Sequence, residues 1–107
     1  MKNYIVIYIT AGNGKEAESI AAGLVREGFA ACVNIVPKVK SIYKWKGKIC
    51  KDDEYLLIAK SRKALLKEVI KWVKKHHSYE TPEIIALPIV DGSKDYLNWI
   101  ENSCSGS

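Results

Sequence analysis

The apolar positions of this chain switch between two periods, and the switching predicts its elements. Residues 4–10 form a short run of β-branched and aromatic side chains, the pattern of a buried strand. Gly12-Asn13-Gly14 breaks it. Over residues 15–27 the period becomes helical. Ala17, Ile20, Ala21, Leu24 and Val25 fall at i, i+3, i+4, i+7 and i+8, on one stripe. Glu16 and Glu18 suit the positive end of the helix dipole, and Gly28 suits a left-handed stop. Residues 30–36 read as a second buried strand. Pro37 marks a bend or an edge, because proline donates no ladder hydrogen bond. Strand character resumes through Val39, Ile42, Tyr43 and Trp45, turns at Lys46-Gly47-Lys48 and returns over residues 49–60. The result is a long hairpin arm with aromatics and lysines toward its tip.

A second helix is predicted over residues 63–77, with Leu65, Leu66, Val69, Ile70 and Val73 as its stripe. Residues 78–82 end it, since the residue before a proline avoids the α region. Residues 84–90 read as the last strand. Asp91-Gly92 turns the chain, Ser93 can cap, and Tyr96, Leu97 and Ile100 indicate a short C-terminal helix. Residues 1–102 then form one domain and residues 103–107 a flexible tail. The order β-α-β-β-α-β, with each crossover right-handed, predicts an α+β, ferredoxin-like antiparallel sheet. Its two main helices lie on one face. The other face needs a cover, which is a reason to expect oligomerisation.

Composition narrows the function classes. At 107 residues the chain has room for one core. No apolar run approaches the roughly 20 residues of a membrane span, and the N-terminus lacks the features of a secretory signal. A cytoplasmic protein with no membrane partner is expected. Cys32, Cys50 and Cys104 are odd in number and form no C-x-x-C pair, so they are expected as free thiols. The net charge of +5 comes almost wholly from lysine. That is a weak nucleic-acid signal, because bidentate phosphate and base contacts favour arginine.

Three segments carry candidate chemistry. His76-His77-Ser78-Tyr79-Glu80-Thr81-Pro82-Glu83 joins the only two histidines to two carboxylates and a phenol. Imidazole with carboxylate suits a divalent cation such as Cu(II) or Zn(II). Adjacent helical residues point about 100° apart, so sharing one ion needs a distorted helix end or a second chain. The alternative is a histidine capping the helix C-terminus. The arm alternates Lys38, Lys40, Lys44, Lys46 and Lys48 with Val39, Ser41, Tyr43, Trp45 and Gly47. This fits a base-stacking ribbon or, alternatively, a lysine-protected edge whose aromatics pack on a neighbouring subunit. Gly12-Asn13-Gly14 ahead of a helix suits an anion or a plain tight turn. No nucleophile–base pair declares itself in the sequence, though the fold can bring distant residues together; no enzymatic activity and no organic cofactor are expected.

Several segments together resemble the CutA divalent-cation tolerance family. They are Ile9-Thr10-Ala11, Ala30-Ala31-Cys32-Val33-Asn34-Ile35, Ser41-Ile42-Tyr43-Lys44-Trp45-Lys46-Gly47-Lys48-Ile49, Glu54 and Leu57 through Lys60, residues 76–84, and Tyr96-Leu97-Asn98-Trp99. The resemblance implies a ferredoxin-like domain in a PII-like homotrimer, with the hairpin reaching a neighbour. It also implies a role in tolerance of copper and other divalent ions. Carried onto this chain, the metal-ligand set is His76, His77, Glu80 and Glu83, with Tyr79 weaker. Two positions depart: Ile9 stands where some relatives have a candidate cysteine ligand, and Ser78 where the H-P-Y-E segment has proline. The alternative function is a PII-like signalling or scaffold module that binds a small ligand or a protein at subunit clefts. No nucleic-acid partner is expected.

Overall fold

A computed structural model describes residues 3–104. The chain runs β1 (Tyr4–Ala11), α1 (Gly14–Arg26), β2 (Cys32–Trp45), β3 (Lys48–Arg62), a 3-10 turn (Lys63–Leu65), α2 (Leu66–His76), β4 (Ile84–Pro88) and α3 (Lys94–Ser103). The sheet order is β2-β3-β1-β4, and every pairing is antiparallel. This is the expected α+β, ferredoxin-like arrangement.

Period 2 along the strands sorts side chains onto two faces. Ile5, Ile7, Ile9 and Ala11 of β1 join Leu57 and Ala59 of β3 beneath the helices. Ala17, Ile20, Ala21 and Leu24 of α1 and Val69 and Val73 of α2 close over them. The α1 stripe is thus the one its spacing predicts, except for Val25, which is exposed at 45%. The helices approach closely where Gly23 faces Trp72; a Cβ on Gly23 would fall inside the indole.

The second face is not wholly bare, which corrects the expectation of an uncovered sheet. Ile100 and Cys104, at the end of α3, bury against Tyr4, Ala31 and Leu65. Glu101 ties the helix down by accepting from the Tyr4 hydroxyl and the Arg62 guanidinium, each at 3.3 Å. Of the expected tail, Ser103 closes α3 and Cys104 is 1% exposed. The rest of the expected tail, residues 105–107, lies outside the described residues. Beyond α3 the second face stays open. There Tyr8 pairs with Ile58 on one side and Ile85 on the other, and Val6 with Lys60 and Leu87.

Strands β2 and β3 extend past the sheet as the arm, which stretches the domain to 44 × 25 × 22 Å. Its tip is the two-residue loop Lys46–Gly47, with φ of 51° and 79°. Positive φ at both positions is what a type I′ hairpin needs, and the glycine meets it without strain. Pro37 produces a bulge rather than a break. The β2–β3 register shifts between Val36 and Val39, and Lys38 takes φ 56°. Two boundaries differ from expectation. Residues 63–65 form a 3-10 turn ahead of α2, and β4 stops at Pro88, which leaves Val90 93% exposed.

Candidate functional site

Four elements converge where α2 ends. Asn13 caps α1, its side-chain oxygen accepting from the Glu16 N–H at 2.8 Å. The Gly12-Asn13-Gly14 segment is thereby explained as a cap and turn. Glu16, in the first turn, reaches across to the loop after α2. It accepts from the Ser78 N–H at 2.7 Å and the Ser78 hydroxyl at 3.1 Å. Burial opposes ionisation of Glu16, but the hydrogen bonds from Ser78 outweigh it and hold the carboxyl below its ordinary range. Proline at position 78 has no N–H to give, so the departure at Ser78 adds an anchor.

His77 is the centre of this junction. Its side chain is fully buried. Nε2 lies 2.7 Å from the Thr10 carbonyl, and Nδ1 lies 3.0 Å from the Tyr79 N–H. A carbonyl only accepts and an N–H only donates, so the ring is neutral, with its proton on Nε2. Both nitrogens are therefore taken. In this arrangement both His77 nitrogens are engaged by the backbone, and no lone pair is free. His76 differs. It stacks on Trp72 with ring centroids 4.0 Å apart, and its Nδ1 donates to the Trp72 carbonyl at 2.8 Å. Its Nε2 is left with a lone pair on an exposed side chain.

Tyr79 packs over His77 with centroids 4.7 Å apart and donates its hydroxyl to Glu54 Oε2 at 2.8 Å. Burial, the Glu54 hydrogen bond and the surrounding carboxylates together push its phenol well above the usual range. The ring rests on Gly12, where a Cβ would come within 3.0 Å of the hydroxyl oxygen. Only glycine leaves that space free.

Beside Tyr79 a cleft of about 540 Å³ opens between the arm and the 79–83 loop. Thr10 and Glu54 line it from the sheet. Ser41, Ile42, Tyr43 and Trp45 line it from the arm, and Glu80, Thr81 and Glu83 from the loop. On the arm, the Tyr43 hydroxyl donates to Asp52. That hydrogen bond, with a smaller contribution from burial, pushes the Tyr43 phenol up to about 12.

The structure thus divides the four expected ligands. Glu80 and Glu83 line the cleft; His76 and His77 do not. Among the described residues no three His, Cys, Asp or Glu side chains come together as a metal-binding group. The donor set of a single chain does not fit a closed metal site. Glu16 and Glu54 were missed as functional residues. The spacing Asn13-x-x-Glu16 is a capping signature that marks the first. Glu54 follows Lys51, Asp52 and Asp53 in β3, so nothing in the local sequence singles it out.

The family model for "CutA1 divalent ion tolerance protein" matches residues 5–103. The chain belongs to that family. It is 48% identical over 99 residues to the chloroplastic Protein CutA of Arabidopsis thaliana, covering 92% of this chain and 54% of the relative. It is 43% identical over 98 residues to the divalent-cation tolerance protein CutA of Thermus thermophilus, covering 92% of this chain and 95% of the relative. The crystal structure of CutA1 from Oryza sativa superposes with a TM-score of 0.95 at 45% identity, covering 98% of this chain and 96% of that one. The chain spans about half the length of several curated relatives it matches. The family's printed role is tolerance of divalent ions, and its name denotes no enzyme.

Proposed function

We propose that this chain acts as a non-enzymatic homotrimer that meets divalent cations, Cu(II) among them, at the clefts between subunits and contributes to the response to such ions. The observation that carries this reading is the open part of the sheet's second face. Ile85 and Leu87 there are 52% and 44% exposed beside Tyr8 and Val6. On the arm, Ile42, Trp45 and Ile49 are 62%, 46% and 73% exposed. Apolar surface of this extent favours burial against a like copy. A metal site that one chain leaves incomplete is then completed by its neighbour. His76 supplies the exposed imidazole nitrogen, Glu80 and Glu83 supply carboxylates, and His77 braces the loop that carries them. The three free cysteines suit a reducing compartment, and the cytosol is proposed.

Sedimentation with and without Cu(II), followed by metal analysis, tests this reading. A trimer that retains Cu(II) is the expected result, with Ile85→Asp/Leu87→Asp shifting it toward monomer. A wild-type monomer would overturn the assembly. Equal Cu(II) affinity in wild type and His76→Ala would overturn the assigned imidazole. A second reading, a module that binds a small molecule, is supported by the cleft itself, whose size falls within the roughly 300–1,000 Å³ of small-ligand sites.

A further inference from the structure

None of the residues lining the cleft is a lysine or arginine, although the chain has 17 of them and a net charge of +5. Three carboxylates line it instead: Glu54, Glu80 and Glu83. Glu54 is only 8% exposed. Its Oε2 accepts from Tyr79, and among the described residues its Oε1 has no hydrogen bond or ion pair. That oxygen is not a buried unpaired atom, so it meets water, and a charge-assisted hydrogen bond from a cationic donor can take the water's place. The rings of Tyr43, Trp45 and Tyr79 line the same space, and aromatic faces attract ammonium groups.

Size separates an organic cation from a bare ion. Hard divalent ions need oxygen ligands at about 2.0–2.6 Å, and no such group of three forms in the chain among the described residues. A cleft of about 540 Å³ with carboxylates and aromatic rings spread over its walls fits a molecule of several heavy atoms. We propose that this cleft binds a small organic cation, an alkylammonium ion whose charge meets Glu54, Glu80 and Glu83 and whose carbons meet Tyr43, Trp45 and Tyr79. The inference deepens the small-molecule reading of the cleft and rests on it. Every residue it uses belongs to one chain.

The probes are tetramethylammonium chloride and spermidine, titrated into the full chain at constant ionic strength set with KCl. Binding is read by calorimetry and by tryptophan fluorescence, to which Trp45 contributes. Saturable binding of one probe is expected, weakened at least about tenfold by Glu80→Gln/Glu83→Gln, as the loss of paired charges at a partly desolvated site implies. Glu54→Gln should weaken it further; the loop double variant leaves the Tyr79–Glu54 pair intact and keeps the test valid if Glu54→Gln misfolds. No saturable binding of either probe, an equal response to K⁺, or a double variant within twofold of wild type would each overturn the proposal. Sedimentation and a Cu(II) titration of the same samples separate the readings. A Cu(II)-binding trimer that ignores both probes overturns this inference alone. A monomer that binds tetramethylammonium overturns the assembly and supports this one.

Discussion

Replacing His77 by alanine separates a structural ring from a metal ligand. The fully buried imidazole makes two hydrogen bonds, 2.7 Å to the Thr10 carbonyl and 3.0 Å from the Tyr79 N–H. Each is worth about 0.5–1.5 kcal/mol net, and the backbone groups left behind in a partly buried junction add a desolvation cost. The vacated ring also leaves a void beneath Tyr79, so the total loss is about 2–4 kcal/mol. That is a large share of the roughly 5–15 kcal/mol that holds a domain together. With a urea dependence of about 1–3 kcal/mol per molar, the midpoint should fall by about 1–2 M. The assay is urea unfolding followed by circular dichroism at one fixed protein concentration, since self-association makes stability concentration-dependent. His77→Gln, whose amide can still donate toward Thr10, should recover part of the loss. A His77→Ala protein within about 0.5 kcal/mol of wild type would refute the bracing role. If such a protein also lost Cu(II) affinity, the ring would be a ligand.

Other substitutions probe the same junction and its neighbours. Gly23→Ala gains up to about 1 kcal/mol of helix propensity. It also drives a methyl group into the Trp72 indole, an overpacking cost of about 1–3 kcal/mol. A net loss of stability is expected, with recovery in Gly23→Ala/Trp72→Leu; a Gly23→Ala protein more stable than wild type would show that the helices separate freely. For Glu16, the folded-state pKa lies below its unfolded value near 4.5. Its stabilisation is therefore present above about pH 4.5 and lost as pH falls through the lower folded value. The urea midpoint of Glu16→Gln should lie below wild type at pH 6 and converge on it toward pH 3; a constant gap would rule out the carboxylate's role. Tyr43, with a folded pKa of about 12 against an ordinary 10, should stay protonated at pH 11. Absorbance at alkaline pH should show a late-ionising phenol that Tyr43→Phe removes, and an unchanged late phase would reassign it.

Much of this protein was legible in its sequence because it depends on local order. The period-3.6 stripe of α1 and the period-2 face of β1 set which residues are buried, and Lys46-Gly47 and Gly28 accept the positive φ that their turns require. The element order then leaves the ferredoxin-like topology as the natural solution. Local pattern did not reveal where α3 would lie, because an amphipathic helix does not name the surface it covers. Packing chose the Tyr4 end of the second face and left Ile85 and Leu87 open. The histidine pair shows the same limit. In sequence His76 and His77 are equivalent neighbours. The end of α2 falls between them, turning one ring outward on Trp72 and the other inward on Thr10. A hydrogen bond between residues 67 positions apart leaves no mark in either segment. The same holds for the cleft, where the arm and the 79–83 loop meet only because the sheet brings them together. Sequence determined which groups the chain carries and on which face of each element they sit. Tertiary structure decided which of them remain free to act, because only packing settles which lone pairs and faces are already used.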